Sequence, residues 1–174
     1  MRSHNIIKSK HCTSLSYYKQ GSGQPVVFIH GFPEDASIWF NLLGKLQDTY
    51  TVIAIDLPGT GASEGAINEL SMEMMAGCIE EVLDYEKCSS VILVGHSMGG
   101  YVALAFVELF EDRVAGISMI HSTASQDSDE KINNREKAIR IIEKGGKDMF
   151  VKQMMTNLFS VTFVANNEQL IEKQ

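Results

Sequence analysis

Short apolar runs alternate with stretches of helical periodicity along most of the chain. Four runs are rich in β-branched residues and carry few polar side chains: 26–29, 51–55, 91–94 and 114–120. Runs of this kind are typical of strands buried on both faces of a parallel sheet. Strands that alternate with helices at this spacing need right-handed crossovers. The sequence therefore predicts an α/β fold with a mostly parallel sheet and helices on both faces.

The segments between these runs predict the helices and one edge hairpin. Residues 38–46 have the apolar periodicity of a helix, with Ser37 as its cap, and Ser71 is placed to cap the next helix. A third helix is expected from the end of the 91–94 run to about Phe110. Residues 6–18 contain two short strands, broken near their middle, which we expect to pair as an antiparallel hairpin at the sheet margin.

The character of the sequence changes after Ala124. Residues 126–131 are polar and acidic, and two helical patterns follow at 130–144 and 147–159. The expected division is a core of six strands at 1–124 and a smaller helical unit at 125–174. The second pattern carries methionines, and its apolar residues recur at helical spacing: Val151, Met154, Met155, Leu158 and Phe159. They suit either a flexible lid over an apolar pocket or ordinary packing.

Composition excludes several classes of partner. The 174 residues are 44% hydrophobic and 21% charged, which is ordinary for a soluble globular protein. A net charge of −7 without a basic cluster argues against nucleic acid and acidic membrane surfaces as partners. No apolar run approaches a membrane span, and the first residues lack the apolar core of a signal peptide. Three widely spaced cysteines predict reduced thiols and a cytoplasmic location. No His/Cys/Asp cluster has ligand spacing, so no metal or other cofactor is expected.

The stretch Gly95-His96-Ser97-Met98-Gly99 lies between a buried apolar run and an apolar helical pattern. Glycine on either side of the serine permits a turn too tight for side chains. Such a turn lifts the Ser97 hydroxyl clear of the strand end, onto the start of a helix. A purely structural glycine turn is the alternative interpretation.

Three segments together resemble the α/β-hydrolase fold family, in its order and at fitting intervals: 30–33 (HGFP), 56–63 (DLPGTGAS) and 95–100 (GHSMGG). The resemblance implies that Ser97 is the nucleophile and that the backbone N–H groups of Phe32 and Met98 form the oxyanion hole. His30 and His96 are expected to be structural, with His96 directed away from the nucleophile. Asp56 is expected to tie down its own turn.

The resemblance also implies a catalytic acid and a histidine later in the chain, beyond a helical cap. His121 is the only histidine after Ser97, and its place at a strand end resembles a structural position. Asp127 and Asp129 could mimic a less common placement of the acid, although a histidine would still be needed. We therefore expect a truncated member of the family, weakly active or inactive alone, that ends within the cap.

Two functions remain open at this stage. The first is a serine hydrolase that acts on a carboxylic ester or similar small acyl substrate through an acyl-enzyme on Ser97. Serine at this position disfavours the epoxide and haloalkane branches, which use aspartate there. The second is a non-catalytic remnant or binding module that retains the front half of the fold. In either case the 114–120 strand would present an exposed apolar edge, which predicts self-association.

Overall fold

A computed structural model describes residues 2–65 and 69–167 of the chain. The chain divides into two compact units, Met1–Ala124 and Ser125–Gln174. The first contains the sheet and the three predicted motifs, and the second is entirely helical where it is described.

The described residues of the first unit form a six-stranded sheet in the order β1-β2-β4-β3-β5-β6. The strands are β1 (Ser3–Ile7), β2 (Leu15–Gln20), β3 (Gln24–Ile29), β4 (Tyr50–Ile55), β5 (Val91–His96) and β6 (Val114–Ile120). The pairs β1–β2 and β2–β4 are antiparallel, whereas β4–β3, β3–β5 and β5–β6 are parallel. The predicted α/β fold, with its mostly parallel sheet and antiparallel edge hairpin, is confirmed.

The central strands are buried on both faces, as their continuous apolar runs predicted. On β3, Val27 and Ile29 enter one apolar cluster, which also holds the buried side chains of two helices. Val26 and Phe28 point to the opposite face and pack in a second cluster with Trp39. Because successive side chains of a strand alternate between faces, one short run supplies both cores.

Three α-helices cover this sheet: α1 (Phe40–Leu46), α2 (Met72–Tyr85) and α3 (Met98–Leu109). The Ser71 hydroxyl accepts the Met74 N–H and caps α2, as predicted. The prediction for α1 was wrong in its cap. A 3₁₀ turn at Ala36–Trp39 precedes α1. Asp35 caps this 3₁₀ turn, because its carboxylate accepts the Ser37 N–H at 2.8 Å. Asp and Ser are similarly good cap residues, and in the folded chain the helical stretch starts two residues earlier than predicted.

The second unit contains α4 (Asp129–Glu143), α5 (Lys147–Asn157) and α6 (Val161–Asn166). Gly145, with φ +83°, follows the end of α4, as glycine commonly does after a helix. A groove of about 300 Å³ between α4 and α5 has Ile141 and Phe150 among its lining residues. None of the helices in residues 2–65 and 69–167 is long and apolar enough to cross a bilayer.

Candidate active site

Ser97 occupies the one-residue junction between β5 and α3. Its backbone has φ 51° and ψ −116°, a conformation that non-glycine residues adopt only when their surroundings enforce it. The surroundings here are two close approaches. A Cβ on Gly95 would lie 2.6 Å from the Gly100 nitrogen, and one on Gly99 would lie 2.7 Å from the His30 carbonyl oxygen. The two glycines therefore allow the strained turn that sequence predicted.

The Ser97 side chain is half-buried at this junction. Its backbone N–H donates to the Ile120 carbonyl at 2.9 Å, which joins the turn to the end of β6. Across the part of the chain that the structure describes, its hydroxyl makes no hydrogen bond to the protein. Met98 opens α3, and the first N–H groups of a helix have no intrahelical acceptor. The junction thus combines an unengaged hydroxyl with a helix N-terminus.

The loop after β3 approaches the Ser97 side chain closely. A Cβ on Gly31 would lie 3.0 Å from the Ser97 Cβ, so the backbone that leads into Phe32 passes beside the Ser97 side chain. The Phe32 side chain is 55% exposed, and the Phe32–Pro33 peptide bond is cis. The pairing of the Phe32 and Met98 amides as an oxyanion hole stays a prediction.

His30 is fully buried at the end of β3. Its Nδ1–H donates to the Gly31 carbonyl at 2.7 Å, and its Nε2 accepts the Leu57 N–H at 3.0 Å. Both ring nitrogens are therefore engaged in the neutral form. Burial lowers the pKa of His30, since desolvation disfavours the charged ring. His30 is structural, as expected, and it fastens the loop beside Ser97 to the segment after β4.

Asp56 fastens that same segment to its neighbours. Its buried carboxylate accepts hydrogen bonds from the Ala62 N–H at 3.1 Å, the Ser16 hydroxyl at 2.9 Å and the Ala36 N–H at 2.9 Å. The Ser63 hydroxyl donates to the main-chain carbonyl of Asp56 at 2.6 Å. The predicted tie within the turn is confirmed. The bonds to Ser16 on β2 and Ala36 before α1 extend beyond that prediction.

Sequence reasoning missed Glu34. Its Oε2 accepts the Gly31 N–H at 2.8 Å and also the Nδ1–H of His96 at 2.8 Å. The imidazole of His96 is thus engaged by a carboxylate rather than by the serine that follows it. An acidic residue directly after the HGFP segment was the available signal, but nothing local indicated its partner.

No histidine of the described chain is hydrogen-bonded to the Ser97 hydroxyl. His121 lies just past β6 with φ 47°, is exposed, and contacts the His96 ring edge-on at 6.2 Å between centroids. Asp127 pairs with Arg135 at 2.7 Å within the second unit, and Asp129 is the first residue of α4. The placement of a catalytic acid at either aspartate has no support from these contacts.

Within 2–65 and 69–167, no group of three or more His, Cys, Asp or Glu side chains could hold a metal ion. The chemistry that these side chains offer is nucleophilic: a hydroxyl on a strained turn, beside a glycine loop and a helix start.

The amino-acid sequence is similar to those of known proteins. The sequence profile described as the alpha/beta hydrolase fold matches residues 24–151. A dihydrolipoyllysine-residue acetyltransferase component of the acetoin cleaving system from Cupriavidus necator is 36% identical over 107 residues, which is 61% of this chain. A soluble epoxide hydrolase from a Corynebacterium species is 36% identical over 92 residues, or 53% of this chain.

A solved structure also resembles the chain over nearly its whole length. A thermophilic esterase from Thermogutta terrifontis superposes with a TM-score of 0.83 and 30% identity, over 98% of this chain and 64% of the esterase. The match to the two curated relatives spans only 29% and 32% of their lengths.

Proposed function

The chain belongs to the α/β-hydrolase fold family, and from that membership we propose that it is a serine hydrolase with Ser97 as nucleophile. The proposed substrate is a carboxylic ester or a similar small acyl compound. One observation carries the proposal: Ser97 sits on a strained strand-to-helix turn with its hydroxyl unengaged by the described residues, beside Gly31. The likeness to an esterase over 98% of the chain supports it.

The identity of the nucleophile favours acyl transfer over epoxide opening. If a carboxylate opens an epoxide, the product is an ester, which water can then hydrolyse at its carbonyl. If a serine hydroxyl did the same, the product would be an ether with no carbonyl for water to attack. A serine at position 97 therefore suits a substrate that carries its own carbonyl, although an epoxide hydrolase is among the relatives.

The proposed reaction has two steps. The Ser97 oxygen attacks the substrate carbonyl while a base takes the hydroxyl proton, and the negative oxygen of the tetrahedral intermediate faces the Phe32 and Met98 amides. Collapse breaks the bond to the leaving alcohol, which takes up a proton, and leaves an acyl-serine. Water then attacks that ester, releases the acid and restores the hydroxyl. Each oxyanion donor typically contributes about 3 kcal/mol.

The first step needs a base that none of the described histidines supplies at Ser97. His30 uses both ring nitrogens elsewhere, and His96 is held by Glu34. In a serine hydrolase, loss of the histidine costs on the order of 10⁶ in kcat. We therefore propose that this chain alone is weakly active or inactive, with residual reactivity from the turn at Ser97 and the proposed oxyanion hole.

Labelling with a fluorophosphonate tests both parts of this proposal. We expect slow modification of Ser97, as measured by mass spectrometry. The modification should accelerate when imidazole is added in solution as a substitute base. Ser97→Ala is the control and should remain unmodified. Rapid stoichiometric labelling without imidazole would reveal a base in the chain and refute the proposed weak activity.

The unengaged hydroxyl also favours a second candidate, a binding module that holds an acyl compound without turning it over. This candidate predicts no labelling of Ser97 even with imidazole, together with saturable binding of a short acyl amide in calorimetry. Labelling that saturates at one equivalent per chain would exclude it.

We further propose that the first unit self-associates through β6. This strand pairs with β5 on one side and is at the sheet margin, and its Ile117 side chain is 42% exposed. An apolar edge strand is a known template for pairing. Light scattering at tens of micromolar should show oligomers for the wild type, and fewer for Ile117→Lys. A monodisperse wild-type monomer would contradict the proposal.

A cytoplasmic location is proposed because all three cysteines are free thiols and reduced thiols are typical of that compartment. Fractionation of cells that express the tagged chain, with a periplasmic or secreted marker as control, tests it. Recovery outside the cytoplasmic fraction would be the contrary result.

A further inference from the structure

We propose that Glu34 is a positioning residue: its carboxylate clips the loop at Gly31 to the strand end that carries Ser97, through His96. The inference rests on the proposed function, since it concerns the alignment of the oxyanion loop with the nucleophile. Glu34 itself does not touch the reacting atoms in this scheme.

The clip consists of two hydrogen bonds to one oxygen atom. Oε2 of Glu34 accepts the Gly31 N–H at 2.8 Å and the His96 Nδ1–H at 2.8 Å. Gly31 leads directly into Phe32, and His96 leads directly into Ser97. One carboxylate oxygen therefore joins the residue before the proposed oxyanion donor to the residue before the nucleophile.

The spacing leaves little freedom between the joined segments. A Cβ on Gly31 would lie 3.0 Å from Glu34 Oε2, 3.0 Å from Ser97 Cβ and 3.2 Å from His96 Nδ1. A side chain at position 31 would therefore crowd the nucleophile, the histidine and the carboxylate, which means that the loop passes close to all three. A small displacement of Gly31 would change its distance from Ser97, and misplacement by about 1 Å can cost on the order of 10² in rate.

Three further contacts hold the parts of the clip in place. The Glu34 N–H donates to the Gly31 carbonyl at 3.1 Å, so a backbone turn carries the carboxylate back over the loop. The His96 ring packs edge-on against Trp39 and against His121, with centroids 6.4 Å and 6.2 Å away. The side chain of Glu34 is about one quarter exposed, so the clip lies at the mouth of the site rather than in the core.

The experiment compares Glu34→Ala and Glu34→Gln by fluorophosphonate labelling of Ser97 in the full chain, with imidazole present. Glu34→Ala should lower the maximal labelling rate about 10- to 100-fold and leave the probe's half-saturating concentration unchanged. Glu34→Gln retains a carbonyl oxygen in nearly the same place. It should keep the maximal rate within about threefold of wild type, because a neutral acceptor is weaker but correctly placed.

Asp35→Ala is the matched control. It removes the adjacent acidic residue and the cap of the 3₁₀ turn, but it has no bond to Gly31 or His96. It should lower stability while leaving the labelling rate of Ser97 at the wild-type value. Equal rate losses in Asp35→Ala and Glu34→Ala would mean that Glu34 acts only through stability, which would overturn the positioning role.

A double variant tests whether Glu34 and His96 act as one unit. His96→Ala should slow labelling, and combining it with Glu34→Ala should add little further loss, because either change alone opens the clip. Fully additive losses would overturn the proposal.

Amide hydrogen exchange separates failure of the clip from failure of the proposed function. Exchange at Gly31 should quicken about tenfold in Glu34→Ala and remain near wild type in Asp35→Ala, as expected for a lost bond to a charged acceptor. If Ser97 never labels while Gly31 exchange responds as stated, the hydrolase proposal fails and the clip stands. Unchanged Gly31 exchange would refute the clip even if Ser97 is reactive.

Discussion

Alanine at Gly61 should destabilise the first unit much more than alanine at Gly59, two residues earlier in the same loop. Both glycines have positive φ, +51° at Gly61 and +82° at Gly59. Among the residues that the structure describes, the nearest neighbour of a methyl group on Gly59 would be the Gly65 Cα, 4.0 Å away. A methyl group on Gly61 would lie 2.6 Å from Oδ2 of Asp56 and still closer to the other atoms of that carboxylate.

The two changes share one cost and differ in another. A left-handed conformation costs an alanine roughly 1–2 kcal/mol, and both variants carry this cost. At Gly61 the Asp56 carboxylate must also move, which breaks its bonds from the Ala62 N–H and the Ser16 hydroxyl. Hydrogen bonds to a charged group contribute about 1.5–3 kcal/mol each. The expected loss is about 5 kcal/mol for Gly61→Ala and about 1–2 kcal/mol for Gly59→Ala.

Thermal unfolding followed by fluorescence of Trp39 measures the difference. Trp39 is the sole tryptophan of the sequence and is buried in the first unit, so its signal reports that unit. For a chain of this length, about 1 kcal/mol shifts Tm by roughly 2–4 °C. Gly61→Ala should therefore lower Tm by about 10–20 °C, and Gly59→Ala by about 2–8 °C.

Equal Tm losses in the two variants would refute the reasoning, because the shared strain would then explain everything. A double variant adds a second check. In an Asp56→Ala background the carboxylate is absent, so Gly61→Ala should cost no more than Gly59→Ala does in the wild type. A full additional loss in that background would show that the methyl group acts on some other contact.

Three further predictions concern the first unit. Because burial lowers the pKa of His30, only the unfolded chain binds a proton there below the ordinary histidine pKa of about 6.5. The contribution of His30 to the free energy of unfolding should be fully present above that pH and fall by up to about 1.4 kcal/mol per pH unit below it. Urea titrations from pH 7.5 to 5 should show that the free energy of unfolding depends less on pH in His30→Asn than in the wild type. The same pH dependence in both would contradict the prediction. Gly44 lies in the middle of α1 on its exposed side, and an added Cβ would have no neighbour within 4 Å among the residues that the structure describes. Gly44→Ala should therefore raise the free energy of unfolding, measured in urea, by about 0.5–1 kcal/mol. A lower free energy of unfolding would show a steric clash and contradict the prediction. Cys12 and Cys78 are fully buried, and burial raises the pKa of Cys78 to about 12. An aromatic disulfide reagent should therefore modify Cys88 first and the other two cysteines only on unfolding. Fast modification that persists in Cys88→Ser would refute this prediction.

The strands, two of the first unit's three helix starts and the serine turn were predictable because their signals are local. A continuous β-branched run identifies a strand buried on both faces, whichever strands it pairs with. Ser71 caps α2 through bonds that reach only three residues along the chain. The turn at Ser97 is likewise set by its own glycines and by the elements on either side. For features of this kind, the residues that decide the structure are neighbours in the sequence.

The start of the 3₁₀ turn that precedes α1 shows where local signals compete. Asp35 and Ser37 are both good cap residues two positions apart, and the apolar periodicity fits a start at either. The sequence pattern favoured Ser37, whereas the folded chain uses Asp35. Packing of Trp39 against Phe28 in the core fixes the phase of this turn, and that contact comes from a different strand.

The surroundings of Ser97 were decided only by the tertiary structure. Glu34 and His96 are 62 residues apart and meet because β3 and β5 are adjacent in the sheet, although β4 lies between them in sequence. Asp56 reaches Ser16 and Ala36 for the same reason, since the fold brings the end of β4 beside β2 and beside the 3₁₀ turn that precedes α1. A run of apolar residues specifies that a strand is buried, but hydrogen bonds between polar side chains depend on which strands are neighbours. The sequence by itself therefore determined the fold class and the turn at Ser97, whereas strand order determined the polar contacts around that turn.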